Sequence, residues 1–235
     1  MIIDCISDLH GYYPKLKGGD LLLLAGDYTK TEKISEWANF FEWLKAQKYR
    51  KKILIAGNHD NFLYSSYPKN KKESEELKEV QEFLKDDVDL GEIDFEYLCD
   101  SGTKFEGLKI WGSPWTKTFT EMNPMCKAFT VDTEEELSQK WKMIPNDIDI
   151  LITHSPPHGI LDGIPNKDGN LFYTGCIDLR NQVIERIKNK FHVFGHIHEC
   201  GGQILDAVVT TFINASYVNE KYEPVNKPIR IEYEV

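Results

Sequence analysis

The sequence predicts an α/β fold with mixed sheets, on two observations. Short apolar runs alternate with amphipathic helical patterns, and the last third of the chain turns β-rich. In chain order the strand-like runs are IIDCIS (2–7), LLLLAG (21–26), KILIAG (52–57), LKIWGS (108–113), IDILIT (148–153) and FHVFG (191–195). Each is short and bounded by glycine or polar residues, as suits strands buried on both faces. Between them, ISEWANFFEWLKAQ (34–47) sets Trp37, Phe40, Phe41 and Leu44 at i, i+3, i+4 and i+7, an aromatic stripe for core packing. DTEEELSQKWKMIP (132–145) opens on Asp132 as an expected cap, carries an acidic first turn and stops at Pro145. LRNQVIERIKNK (179–190) is a third amphipathic segment, feeding FHVFG. After Gly202, QILDAVVTTFINASYV and PIRIEYEV read as antiparallel closing strands. No internal repeat, low-complexity tract or linker interrupts the pattern, so one domain over 1–235 is expected.

Composition narrows the function. The 235 residues are 41% hydrophobic and 28% charged, as in a soluble globular protein with a substantial core. No run approaches the ~18 apolar residues of a membrane span, and MIIDCISDLHG is not a signal peptide, so the expected location is cytoplasmic. Five scattered cysteines without a CxxC pair argue against a disulfide framework or a thiolate zinc site. Lys and Arg total 28 against 38 Asp and Glu, a net charge of −10. Proteins that track duplex nucleic acid gain affinity by replacing phosphate counterions with Lys and Arg, and this chain lacks that excess. The densest charge run, KNKKESEELKEVQEFLKDD (69–87), mixes both signs at helical spacing and reads as a solvated helix face.

The residues just past each strand carry the chemistry. IIDCIS leads into Asp8 and His10, LLLLAG into Asp27, KILIAG into Asn58-His59-Asp60, IDILIT into His154, and FHVFG into His196 and His198. Ligands of open α/β sheets bind beyond the carboxyl ends of the strands. A lone His or Asp there is a turn former or cap; five strands that each deliver a donor to one edge form a metal site. Residues i and i+2 of extended backbone project the same way, so His196 and His198 are expected to face the cluster together. Gly195 lets the backbone approach closely. His192 falls inside its strand, where a structural role is expected. Seven oxygen and nitrogen donors, Asp8, His10, Asp27, Asn58, His154, His196 and His198, exceed what one tetrahedral zinc needs, and without thiolates they suit two borderline or hard divalent ions. Mn²⁺ comes first, with Fe, Zn, Co or Ni also compatible. Two such ions ~3.5–4 Å apart clamp an in-line displacement at phosphorus, with a hydroxide shared between them as attacking group. A carboxylate such as Asp27 could bridge them, leaving three terminal protein donors for each. His59 is placed to protonate the leaving oxygen, with Asp60 expected to hold its imidazole. Asn58 and His59 would also touch substrate. His158 in THSPPHG is either a further substrate contact or loop surface. Tyr12, Phe62 and Trp115 offer rings for a base, packing being the plainer role of each.

The motifs DLH, GD, GNHD, THSPP and GHIH, in this order, resemble the calcineurin-like metallophosphoesterase superfamily. GDLLLLAGDYT, KILIAGNHD, GLKIWGSPW, ITHSPPHGILD, HVFGHIHECGG and FINAS resemble its metallophosphoesterase-domain-containing subgroup, related to cyclic nucleotide phosphodiesterases. The resemblance implies a four-layer α-β-β-α sandwich with two mixed sheets flanked by helices. It implies Asp8, His10, Asp27 and His198 around one ion, Asp27, Asn58, His154 and His196 around the other, and His59 as acid. Some members carry glycine at the position of His196 and work poorly; here the histidine is present, so a full dinuclear site is expected. The implied activity is a phosphodiesterase acting on small phosphate esters such as cyclic nucleotides. Phosphomonoesterase or protein phosphatase activity is the alternative, and a silent scaffold is a further one, although no ligand is missing. A metallo-β-lactamase-type site would need HxHxDH, and HIHECG lacks the Asp and the third His.

Overall fold

The computed structural model describes residues 1–65, 94–118 and 126–234, and the expected solvated helix face over 69–87 lies outside them. The strands, named along the chain, are β1 (Ile2–Ile6), β2 (Gly19–Leu24), β3 (Tyr49–Leu54), β4 (Glu96–Tyr97), β5 (Ser101–Phe105), β6 (Leu108–Ser113), β7 (Thr116–Lys117), β8 (Thr130–Val131), β9 (Ile150–Thr153), β10 (Gly163–Pro165), β11 (Leu171–Tyr173), β12 (Phe191–Phe194), β13 (Gln203–Asp206), β14 (Thr211–Asn214) and β15 (Ile229–Glu232). One sheet has the order β15-β1-β2-β3-β4 and the other β13-β14-β12-β9-β6-β5; β7-β8 and β10-β11 are small ribbons. The central pairings β1-β2-β3 and β6-β9-β12-β14 are parallel, with antiparallel partners at β15, β13 and β5.

The period-2 alternation of strand side chains builds the layers. Leu21 and Leu23 of β2 face the other sheet and join Ile3, Ile53, Ile110, Ile150, Ile152, Val193 and Ile213 in the central core. Leu22 and Leu24 point the other way, onto the Trp37, Phe40, Phe41 and Leu44 stripe of α1 (Ile34–Ala46). A short α2 (Asn61–Ser65) follows β3. Leu151 and Phe194 of the second sheet face outward onto Leu137 and Trp141 of α3 (Glu134–Lys142) and Leu179 of α4 (Ile177–Asn181). The result is a helix-sheet-sheet-helix sandwich.

Three sequence expectations change. The cap of α3 is Thr133, one residue past Asp132: its Oγ1 accepts the Glu136 N–H while Glu136 Oε2 accepts the Thr133 N–H, so two orphan donors are satisfied reciprocally. The segment expected from 179 starts at Ile177, continues as a π-helix over Gln182–Ile187 and ends at Lys188 in left-handed conformation. The tail is not wholly antiparallel. After β12 the chain runs out to the edge as β13 and returns as β14 between the two, which makes β14 parallel to β12. Among the described residues no helix is long and apolar enough to cross a membrane.

Candidate metal centre

The carboxyl ends of β1, β2 and β3 in one sheet and β9 and β12 in the other meet at one rim of the sandwich. Backbone bonds tie the loops there: Asp8 N–H to Gly26 O (2.9 Å), His10 N–H to Asp27 O (3.1 Å) and Gly195 N–H to His154 O (3.3 Å). Asp8, His10, Asp27 and His196 all adopt left-handed φ, at 51°, 43°, 60° and 71°. Such conformations cost non-glycine residues of order 1 kcal/mol or more each and cluster where function over-determines the backbone. Two glycines permit the crowding. A Cβ on Gly195 would stand 2.1 Å from Asp8 Oδ2, and one on Gly57 would stand 2.1 Å from Asp27 Oδ1.

Buried Asp27 is the hub. Its Oδ1 accepts the His59 backbone N–H at 2.9 Å. Its Oδ2 faces three imidazole nitrogens: His154 Nε2 at 3.4 Å, His10 Nε2 at 3.8 Å and His59 Nε2 at 3.9 Å. Buried Asp8 faces His198 Nε2 at 3.1 Å and accepts the His196 N–H (3.1 Å) and the Ser216 hydroxyl (2.8 Å). His154 Nε2 lies 2.9 Å from Asn58 Oδ1, and the His196 ring packs 5.0 Å from that of His154, with its Nε2 3.4 Å from Thr116 Oγ1. Within each of three overlapping sets, Asp8-His10-His198, His10-Asp27-His59 and Asp8-Asp27-His154, the donor atoms lie within 4.8 Å of one another.

Burial would lift both carboxyls, but the opposing charges are stronger. The hydrogen bond and charge of His198, with His154 behind it, hold Asp8 below the usual range, and His154 and His59 hold Asp27 well below it. Burial pulls His10 down to about 4 and His196 to about 3. Burial acts on His154 in the same sense, yet the adjoining Asp27 charge pushes it up to about 9.

The residues fit divalent ions. His10 Nε2 is buried and has no hydrogen-bond partner among the described residues, although it points at the Asp27 carboxylate. His154 Nδ1 sits 2.8 Å from Ala25 O, a bond it makes as donor, which turns Nε2 toward Asn58 Oδ1 and Asp27 Oδ2. A divalent ion bound there would displace the Nε2 proton that the Asp27 charge otherwise retains, and the Nδ1–H to carbonyl bond is the usual way a ligating imidazole is oriented.

Not every sequence-predicted residue lands as expected. Asp60 is fully buried and does not meet the His59 imidazole: its carboxylate accepts the backbone N–H groups of Gly57 (2.7 Å), Asp27 (2.8 Å) and Tyr28 (3.0 Å). It braces the loops that carry Asp27 and Asn58, and the group that meets His59 Nδ1 is Cys126 Sγ at 3.2 Å. His158 packs its ring against Tyr173, 5.9 Å away, outside the hydrogen-bonded cluster. His196 and His198 are not on extended backbone. The strand ends at Phe194, His196 is left-handed so that its N–H can reach Asp8, and His198 opens a 3-10 turn; both rings reach the rim by that route. Phe62 packs on Trp37 at 4.8 Å and Trp115 is fully buried. Tyr12 is exposed and lines a cavity with His10; a ring packed directly on the candidate ligands is that of Tyr222, which no motif marks. Ser216 was within reach of the strand-end argument, because β14 ends at Asn214 beside β12 and delivers Ser216 to the same rim; Cys126 and Thr116 left no local signal.

Comparison with known proteins gives matches in sequence and in fold. The family model described as calcineurin-like phosphoesterase matches residues 1–200. The human metallophosphoesterase domain-containing protein 1 is 38% identical over 245 residues, covering 97% of this chain and 69% of that protein. The UPF0046 protein T07D4.2 of Caenorhabditis elegans is 34% identical over 239 residues, covering 96% of this chain and 58% of its own length. Among solved structures, TT1561 of Thermus thermophilus superposes with a TM-score of 0.53 at 14% identity, over 91% of this chain and 88% of that one, a likeness of fold alone.

Proposed function

This chain belongs to the calcineurin-like phosphoesterase family of metal-dependent phosphoester hydrolases, and from that premise we propose that it is a dinuclear phosphodiesterase acting on small phosphate diesters, with cyclic nucleotides as the substrate class. The observation that supports this most is Asp27, a buried carboxylate with donors of both sheets around it. Asp8, His10, Asp27 and His198 would hold one ion, and Asp27, Asn58, His154 and His196 the other, with Mn²⁺ as the preferred metal. Bound there, the pair supplies positive charge for the phosphoryl oxygens and lowers the pKa of a water.

The rest falls to the chain. His59 is partly exposed, with its side chain 16% accessible, and its Nε2 faces the rim, so it reaches a substrate and gives a proton to the leaving oxygen. Cys126 at Nδ1 and the His59 N–H bond to Asp27 fix where that proton is offered. Asp60 acts one step back, through the backbone of the Asp27 and Asn58 loops. The net charge of −10 disfavours duplex nucleic acid and supports a small substrate drawn in by local charge. The five thiols, all free, support a reducing cytoplasmic setting.

The test is chelated protein reloaded with Mn²⁺ and assayed on aryl phosphodiesters, aryl phosphomonoesters and 2′,3′- and 3′,5′-cyclic nucleotides. Turnover should return with metal, favour diesters and fall at least about 1,000-fold in Asp27→Ala, the scale of lost charge stabilisation at a reacting centre. His59→Ala should slow alkyl leaving groups more than nitrophenolate, which needs no proton. Monoester rates above diester rates would replace this reading with a phosphomonoesterase, and absence of turnover on every ester would remove the catalytic reading.

A further inference from the structure

Tyr222 lies in the loop between β14 and β15, outside every stretch that supplies a candidate ligand. Its ring centroid is nevertheless 4.7 Å from that of His10, 5.2 Å from His198 and 6.3 Å from His59, all at steep interplanar angles of 77°, 88° and 61°. Among the described residues no comparable contact joins it to His154 or His196. Tyr222 therefore flanks one side of the centre, the side that carries His10, His198 and His59.

The backbone holds it there against its own preference. Tyr222 has φ of 58°, a left-handed conformation that a bulky side chain rarely adopts. Asn219 enforces it. The Tyr222 N–H bonds Asn219 O (2.9 Å), Asn219 Oδ1 accepts the N–H groups of Lys221 (3.0 Å) and Glu223 (2.9 Å), and Asn219 Nδ2 bonds Glu223 Oε2 (2.9 Å). Strain at a rim already crowded with left-handed residues marks the placement of this ring as part of the site. Tyr222 is 40% exposed, so part of the ring stays open to whatever enters beside His59.

Resting on the functional reading above, we infer that Tyr222 is a specificity-determining residue that packs its ring against a flat ring on the leaving side of the ester, an aryl or heteroaryl group such as a nucleobase. Aromatic pairs gain beyond their buried area from offset or edge geometry, and base–aromatic stacking tolerates any base because each has a π-face. Selection would thus fall on the presence of a ring, with base identity a weak factor.

The probe is a pair of uncleavable ligands, phenylphosphonate and methylphosphonate, bound to Mn²⁺-loaded protein and followed by calorimetry, with metal content measured in parallel. Wild-type protein should bind the phenyl compound about tenfold more tightly, an aromatic contact of ordinary strength. Tyr222→Leu should abolish that preference while leaving methylphosphonate affinity and metal content within about twofold, and Tyr222→Phe should keep it. Equal weakening of both ligands in Tyr222→Leu, or loss of metal, would make Tyr222 a packing residue and overturn the inference. So would a wild-type protein without phenyl preference, or a Tyr222→Phe as deficient as Tyr222→Leu, which would move the role to the hydroxyl. If Tyr222→Leu fails to fold, Tyr222→Trp gives the same answer from the other side, since a larger ring should raise the phenyl preference. Because binding is read without turnover, failure of the diesterase reading and failure of this one are distinguishable.

Discussion

The interior between the two sheets and the rim where their strands end are built from the same strands by opposite rules. Inside, Ile3, Leu23, Ile53, Ile110, Ile152 and Val193 are buried aliphatics at strand positions, on backbone paired into the parallel ladders. A few residues further along each strand, Asp8, Asp27, His154 and Asn58 are buried too, yet this rim is polar, crowded and left-handed at Asp8, His10, Asp27, His196 and Tyr222. The difference teaches where each property resides: the interior supplies the stability, and the rim spends part of it to hold buried polar groups on left-handed backbone.

The comparison breaks most decisively at Gly195. Its replacement by alanine would drive a methyl group into Asp8 Oδ2 and Ser7 Oγ, 2.1 and 2.2 Å from the new Cβ. Asp8 must then move, taking with it its bonds to His198 and the His196 N–H. Gly195→Ala should weaken Mn²⁺ binding by at least about 100-fold in calorimetric titration, at the upper end of losses seen when the partners of ligands are removed, with the far-UV circular dichroism unchanged. Affinity within about threefold of wild type would show that the rim is not tightly organised around Asp8.

The converse change lies in the interior. Ile152→Ala removes a fully buried side chain from the inter-sheet core and should cost about 3 kcal/mol in denaturant unfolding. The turnover number per folded molecule should hold within about twofold, because Ile152 packs in the inter-sheet core while His154 lies past the end of β9. A large fall in turnover at full folding would mean that interior packing also sets the position of the ligands.

Legibility in the sequence divides along the same line. The interior strands are readable from apolar runs, and the rim from the donors just past them, because strand composition and strand-end position are local properties. LKIWGS matches β6 residue for residue, and the α1 stripe packs as its spacing predicts. The illegible features depend on partners distant in the chain. That Asp60 turns from the neighbouring His59 to the N–H groups of Asp27 and Tyr28 depends on a loop more than thirty residues away. The turn at His196 depends on Asp8, 188 residues earlier. The parallel direction of β14 is hidden because a hairpin pattern does not say which of its strands lies at the edge.

The smallest predicted effect separates two histidines on neighbouring strands. His192 pairs with Leu151 in the β12-β9 register, and His154 stands just past the end of β9; both are fully buried. Near His192, the Thr153 hydroxyl donates its one proton to Ser155 O at 2.6 Å, so it must accept from His192 Nε2–H at 2.8 Å. That fixes the tautomer and leaves Nδ1 bare, buried and without a partner among the described residues. Protonation there would bury an uncompensated charge, and burial accordingly pulls His192 down to about 3, where His154 beside Asp27 is pushed up to about 9. For His192 the folded value lies below the unfolded one of about 6.5, so below that pH the unfolded chain binds the extra proton. The stability from keeping His192 neutral is complete above about pH 6.5 and drains away as pH falls toward 3; at pH 5.5 the loss is about 1.4 kcal/mol. Urea unfolding from pH 7.5 to 5.5 should show that decline in wild type and a shallower one in His192→Gln, both measured on chelated protein so that metal release at the rim does not add to it. An identical slope in the two proteins would mean that the acid sensitivity originates at the rim, and that the interior histidine is as indifferent to protons as the aliphatic core around it.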